Sequence, residues 1–171
     1  MGIIRRALNG TKRLIVGRNK YAIDLGVKLG KNVRIMSGVS FGTEPYLVSI
    51  ADDVTISNDV QFITHDGGTW AFRDLPEYQD VIKYGKIKVG KRSYIGAHVL
   101  IMPGVEIGER CVIGAGAVVT KDIPDGSVAC GVPAKVVKTT MEYAEDCKNK
   151  MVIEDNELYY KDKRAYLEKY L

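Results

Sequence analysis

The chain has only two histidines, His65 and His98. Imidazole changes charge near neutrality, so it can take a proton from a hydroxyl or amine and pass it on. An alcohol is a poor nucleophile until that proton is being removed. His65 stands in FITHDGGTWAFRD, residues 62–74, and could do this work; the alternative is a loop histidine that only hydrogen-bonds nearby backbone. A base also needs a group to hold its other ring nitrogen. Asp66 is adjacent in sequence, but neighbours on a strand face opposite ways. Glu44, in GTEPY at 42–46, is the better acid for orienting His65 or gripping a substrate, unless it is only an exposed corner acid. His98, in IGAHV, reads as a surface or interface residue. Cys111, Cys130 and Cys147 form no CxxC pair, and none accompanies His65, so reduced cysteines are expected. A three-histidine zinc site cannot be built from two histidines without a replacement ligand, and no metal requirement is expected.

The elements that must position these residues repeat every six positions. Val89 to Pro124 reads VGKRSY IGAHVL IMPGVE IGERCV IGAGAV VTKDIP. Each block opens on an aliphatic residue, and its fifth place is small or aliphatic. A six-residue period fits neither a lone amphipathic helix nor simple strand alternation. It fits a parallel β-helix, with one short strand and one corner per block and three blocks per triangular coil. The openers point inward, and glycine in second place is expected to allow corner backbone angles. The same phase is read from Ile23 through Leu29, Ile35 and Phe41. Nine positions rather than six then separate Phe41 from Ile50, with Glu44-Pro45-Tyr46 in the excess. After Ile56 and Phe62 the phase fails until Val89, 27 positions where six were due. Insertions in repeat proteins gather on one face, which is often the binding face.

This pattern resembles the hexapeptide-repeat acyltransferases, the left-handed β-helix family, over residues 23 to 138. The resemblance implies an all-β solenoid, a left-handed parallel β-helix with a long inserted loop and C-terminal helices. It implies a catalytic His65, for which Glu44 is the partner chosen above, and an acyl donor, acetyl-CoA. Donor-binding residues implied by the family's pattern are Tyr94, Ala97, Ala115, Thr120, Lys121, Pro133, Lys135 and Lys138. Gly114-Ala115-Gly116 would flank a thin pantetheine arm, and the Thr120-Lys121 and GVPAK segments would meet phosphates and adenine. Small residues let an arm lie close, and ammonium groups pair with phosphate. Some relatives carry Trp where this chain has Tyr94.

The His65 loop is similar to those of maltose, galactoside and surface-polysaccharide O-acetyltransferases. It implies a small-molecule sugar, nucleotide-sugar or polysaccharide acceptor, with Tyr46, Asp66, Trp70 and Arg73 on the acceptor side. Tyr46, Trp70 and Phe72 could stack on a sugar's apolar face; core or interface packing explains aromatics equally well. N-acetylation of an amine is the alternative reaction. A γ-carbonic-anhydrase-like metal protein and a non-catalytic scaffold are more remote. The family also implies a homotrimer with the site between subunits.

Composition agrees with an ordinary globular domain: 171 residues, 46% hydrophobic and 27% charged. A net charge of +4 does not argue for nucleic acid. No apolar run reaches transmembrane length and no leader peptide is read, so a cytoplasmic protein is expected. Residues 1–22 are read as a basic arm or short helix, 23–138 as the β-helix with an inserted loop at about 66–86, and 139–171 as a helical extension. Residues 1–20 hold six Lys or Arg and no acid. That segment could touch a membrane surface or pack as an arm with a solvated basic face.

Overall fold

The structure, a computed structural model, describes residues 17–150 and 153–171. The expected basic arm lies mostly outside these residues. What is described begins with helix α1 (Arg18–Asp24), which buries Ala22 and is tied to the first coil by Asn19 Nδ2 donating to Val33 O (2.7 Å). Ile23 therefore does not open a repeat. It lies on this helix with 55% of its surface exposed.

Thirteen short strands follow among the described residues. One sheet contains β1 (Lys28–Leu29), β3 (Val48–Ile50), β6 (Ile87–Val89) and β9 (Glu106–Ile107). A second contains β2 (Arg34–Ile35), β4 (Thr55–Ile56), β7 (Tyr94–Ile95), β10 (Val112–Ile113), β12 (Ser127–Cys130) and β13 (Lys135–Thr139). The third contains β5 (Gln61–Phe62), β8 (Leu100–Ile101) and β11 (Val118–Val119), and a parallel bridge from Ser40 to Gln61 extends it by one coil. Successive strands fall on the three sheets in rotation, so the backbone coils round three sides. Pairing is parallel throughout, except that β13 folds back antiparallel on β12.

The block openers from Ile35 to Val119 are buried, and Leu29 is partly buried at the start of the coil. Phe41 and Phe62 stack in the interior with ring centroids 5.2 Å apart. Fifth-place residues are buried too. Ser93 is satisfied there by donating to Gly108 O (2.8 Å) and accepting from Cys111 N (2.9 Å). Burial pushes the Cys111 thiol pKa up, and all three cysteines are free.

In the uninterrupted blocks the left-handed corner residue is the fourth, not the second. Asn32, Asp53, Asp59, Arg92, His98 and Arg110 hold φ between 54° and 61° there. The second-place glycines answer a different need. A Cβ on Gly90 would sit 2.5 Å from the Gly108 carbonyl carbon, and one on Gly96 would sit 2.6 Å from Ala115 N. Parallel coils stack about 4.8 Å apart, which leaves no room for it.

The described chain divides into two compact units, one through Thr140 and one of Met141–Leu171. The second contains most of α2 (Thr140–Lys150), then α3 (Asn156–Lys161) and α4 (Lys163–Tyr170). Asp155 caps α3 as its sequence suggests, accepting from Leu158 N (2.9 Å). The helical extension is broken at Asp162, which adopts φ −145° and caps α4 through Ala165 N (3.0 Å). Tyr166 is fully buried, with the Tyr159 and Tyr170 rings 5.3 and 4.5 Å from its own. No helix among the described residues is long and apolar enough to cross a membrane.

Candidate active site

Both interruptions of the repeat leave the coil at one corner. Phe41 and Phe62 end the third-sheet side of successive coils, so the residues after them turn the same corner one above the other. The first interruption runs through Gly42, Thr43 and Glu44 into a 3₁₀ turn at Pro45–Leu47. The second is closed at its root by a short antiparallel neck. Gly85 N donates to Thr64 O (3.0 Å), Asp66 N donates to Lys83 O (2.9 Å), and His65 bridges to Tyr84. Gly42 lets the two pass closely: its φ is 71°, and a Cβ there would lie 2.6 Å from Thr64 Oγ1.

This stacking brings His65 and Glu44 together across 21 positions of sequence. His65 Nδ1 lies 3.1 Å from Glu44 Oε2 and 3.1 Å from Thr43 Oγ1. Thr64 Oγ1 donates to the same Glu44 oxygen at 2.6 Å. Desolvation is the largest single influence on Glu44 and raises its pKa. The combined hydrogen bonds from Thr64, Thr43 and His65, with the His65 charge, outweigh it and hold the carboxyl below its usual range. An ionised carboxylate can only accept, so Nδ1 is the nitrogen that carries the proton in this contact. In the neutral ring, Nε2 then holds the lone pair. The His65 side chain is 44% exposed and Glu44 15%, a reachable imidazole over a sheltered carboxyl.

The rest of the loop is built partly on itself. Asp66 caps the 3₁₀ turn Gly67–Ala71 by accepting from Gly68 N (2.9 Å), and its other oxygen accepts from Lys83 Nζ (2.8 Å). The Lys83 hydrogen bond, then that of Gly68, lowers the Asp66 pKa. Arg73 lies 5.1 Å over the Trp70 ring and donates through Nε to Gln79 O (2.8 Å). Phe72 packs edge-on against Tyr78. Trp70 is 76% exposed and Tyr46 61%. Tyr84, with its ring centroid 5.8 Å from that of His65, is a neighbour of the histidine that sequence reasoning missed. Thr43 and Thr64 were missed as well. The signal available was that each immediately precedes one member of the Glu44–His65 pair.

The residues read as donor-binding do not gather at His65 within one chain. Ala97 and Ala115 turn the corner between the second and third sheets, one coil apart, and Gly116 N donates to Ala97 O (2.8 Å). The Gly131–Ala134 turn, which contains Pro133, docks next along that edge: Val118 N donates to Gly131 O (3.0 Å) and Ala134 N to Val118 O (2.8 Å). Tyr94 and Lys138 belong to the second sheet, in register with Val112 and Val128. Lys135 is exposed at the start of β13. Thr120 and Lys121 are exposed on the His65 corner, two coils further along. His98 shares its place in the block with His65 but sits on the opposite edge of the third sheet.

Residues 86–121 match the family described as bacterial transferase hexapeptide (six repeats). Protein CapG of Staphylococcus aureus is 40% identical over 149 residues, covering 84% of this chain and 83% of that protein. The chain belongs to the bacterial hexapeptide transferases. Galactoside O-acetyltransferase of Escherichia coli (strain K12) is 40% identical over 100 residues, which is 56% of this hexapeptide transferase and only 45% of that enzyme. Among solved structures, the maltose O-acetyltransferase from Clostridium difficile 630 superposes with a TM-score of 0.56 and 27% identity, covering 71% of this chain and 74% of that one. By class this hexapeptide transferase is an acyltransferase.

Proposed function

We propose that this chain moves an acetyl group from acetyl-CoA to a sugar hydroxyl by direct transfer, with His65 as general base. The observation that carries this reading is the contact of His65 Nδ1 with the Glu44 carboxylate, at the root of a loop that exposes Trp70 and Tyr84. Glu44 holds the ring, and Nε2 takes the proton of the acceptor hydroxyl as the hydroxyl oxygen attacks the thioester carbonyl. As the C–S bond breaks, the imidazolium returns that proton to sulfur, so coenzyme A leaves as the thiol. No cysteine is needed as a relay. Trp70, Tyr46 and Tyr84 offer aromatic faces to a sugar ring, while Asp66 and Arg73 act chiefly by shaping the loop.

Ala97, Ala115 and the Gly131–Ala134 turn suit the thin arm of coenzyme A because they are small or open at one edge. Lys121, Lys135 and Lys138 suit its phosphates. The base and the Ala97 edge flank opposite sides of the third sheet. A complete site would therefore join the His65 corner of one subunit to the donor edge of the next, in a homotrimer. We take the coil as left-handed, the protein as cytoplasmic and the acceptor as a precursor of surface polysaccharide, as the resemblance implies.

The test is a turnover screen of acetyl-CoA against a panel of sugars, nucleotide sugars and their amino analogues. Ester formation on a hydroxyl supports the proposal. Amide formation alone would replace it with N-acetylation.

A further inference from the structure

We propose that Thr64 is a positioning residue that sets the tautomer of His65 through Glu44. This rests on the reading of His65 as the base. Thr64 is wholly buried, and its hydroxyl donates at 2.6 Å to Glu44 Oε2, the same oxygen that faces His65 Nδ1. A carboxylate with several rotamers needs a fixed donor to hold one oxygen toward the imidazole. Thr64 is held on both sides. Its carbonyl accepts from Gly85 N across the loop neck, and its hydroxyl lies in the space left by the missing Cβ of Gly42.

The threonine thus joins the two interruptions of the repeat: the loop supplies His65 and Thr64, and the short bulge supplies Glu44. Thr43 is the weaker partner. Its hydroxyl is exposed, lies 3.1 Å from Nδ1 and also bonds Glu44, so it supplements the contact from the solvent side. Without the Thr64 hydroxyl, Glu44 can swing toward water and Nδ1 loses its preferred acceptor. The proton of the neutral ring is then free to move to Nε2, which removes the lone pair a general base needs.

The experiment is ¹⁵N NMR of the imidazole rings in the full chain, with His98→Gln assigning the two histidines. Wild type should show, in the neutral ring, a protonated Nδ1 and an unprotonated Nε2 at His65. Thr64→Val should shift both toward the averaged values of a mixed tautomer population, and Thr64→Ser should restore them. Thr64→Ala serves if valine disturbs folding, as judged by melting. With an acceptor from the screen, kcat should fall about 10–100-fold in the hydroxyl-less variants. KM should change by less than about twofold, since Thr64 touches neither substrate in this scheme. An unchanged His65 spectrum in Thr64→Val or Thr64→Ala overturns the inference. Glu44→Gln separates the failures: if it too leaves the spectrum unchanged, the Glu44–His65 pairing itself is wrong; if it alters the spectrum while the Thr64 variants do not, only the role of Thr64 falls.

Discussion

His65 Nδ1 and Glu44 Oε2 stand 3.1 Å apart although 21 residues separate them, because each leaves the coil at the same corner of consecutive turns. The pairing makes Glu44→Gln a sharp probe. Glutamine keeps the shape but can offer its N–H₂ as well as its oxygen, so it no longer dictates which nitrogen is protonated. We expect kcat to fall about 10–100-fold with coenzyme affinity unchanged, measured by steady-state kinetics and titration. A variant with wild-type kcat would remove Glu44 from the mechanism.

The same carboxyl gives a pH signature. Its pKa is lowered in the folded state, so its contribution to stability is present in full above the unfolded value and is lost as pH falls through the folded one. The melting temperature of wild type should therefore exceed that of Glu44→Gln at neutral pH. The gap should narrow below the ordinary carboxylate range. A gap that widens on acidification would contradict the hydrogen-bonded, ionised Glu44 described above.

The coil itself is tested at Ile107, which is wholly buried. Ile107→Ala should cost about 2–5 kcal/mol in denaturant unfolding, as an aliphatic truncation in a stacked core. A loss under about 0.5 kcal/mol would show that the site is not packed as described.

Much of this architecture was legible because an inward side chain must recur once per block. Ile95, Ile101 and Ile107, six positions apart, announce three flat sides without any knowledge of pairing. Ile23 falls in phase by coincidence: α1 turns Ala22 inward and leaves Ile23 outside, and a single apolar residue cannot distinguish the two periods. The second-place glycines were visible, but their reason was not. Their need is set by the backbone of the next coil, 18 residues on at Gly90 and Gly108, and not by their own φ. Glu44 could be chosen over Asp66 from strand geometry alone. Thr64 could not be chosen, because its partner is defined only once both interruptions are known to share a corner. The donor residues were read as one segment-by-segment set, and a triangular coil distributes such segments over different edges.

Donor recognition is tested at Lys121 and Lys135, both exposed and on different edges of the coil. Removing either ammonium should weaken coenzyme A binding by about 1.5–3 kcal/mol if each meets a phosphate. Calorimetric titration of the single alanine variants measures this. Wild-type affinity in both would refute the donor assignment.

The most direct test of the central claim is the kcat of His65→Ala on the acceptor found by the screen, with coenzyme affinity measured in parallel. Loss of a general base costs about 10²–10⁴-fold in rate, and His65 lies outside the donor-binding set. We expect a fall of that size with near-normal coenzyme affinity and no acetylated enzyme, and a much milder effect of His98→Ala. A His65→Ala enzyme that keeps most of its kcat, or an acetyl group trapped on a cysteine, would contradict it.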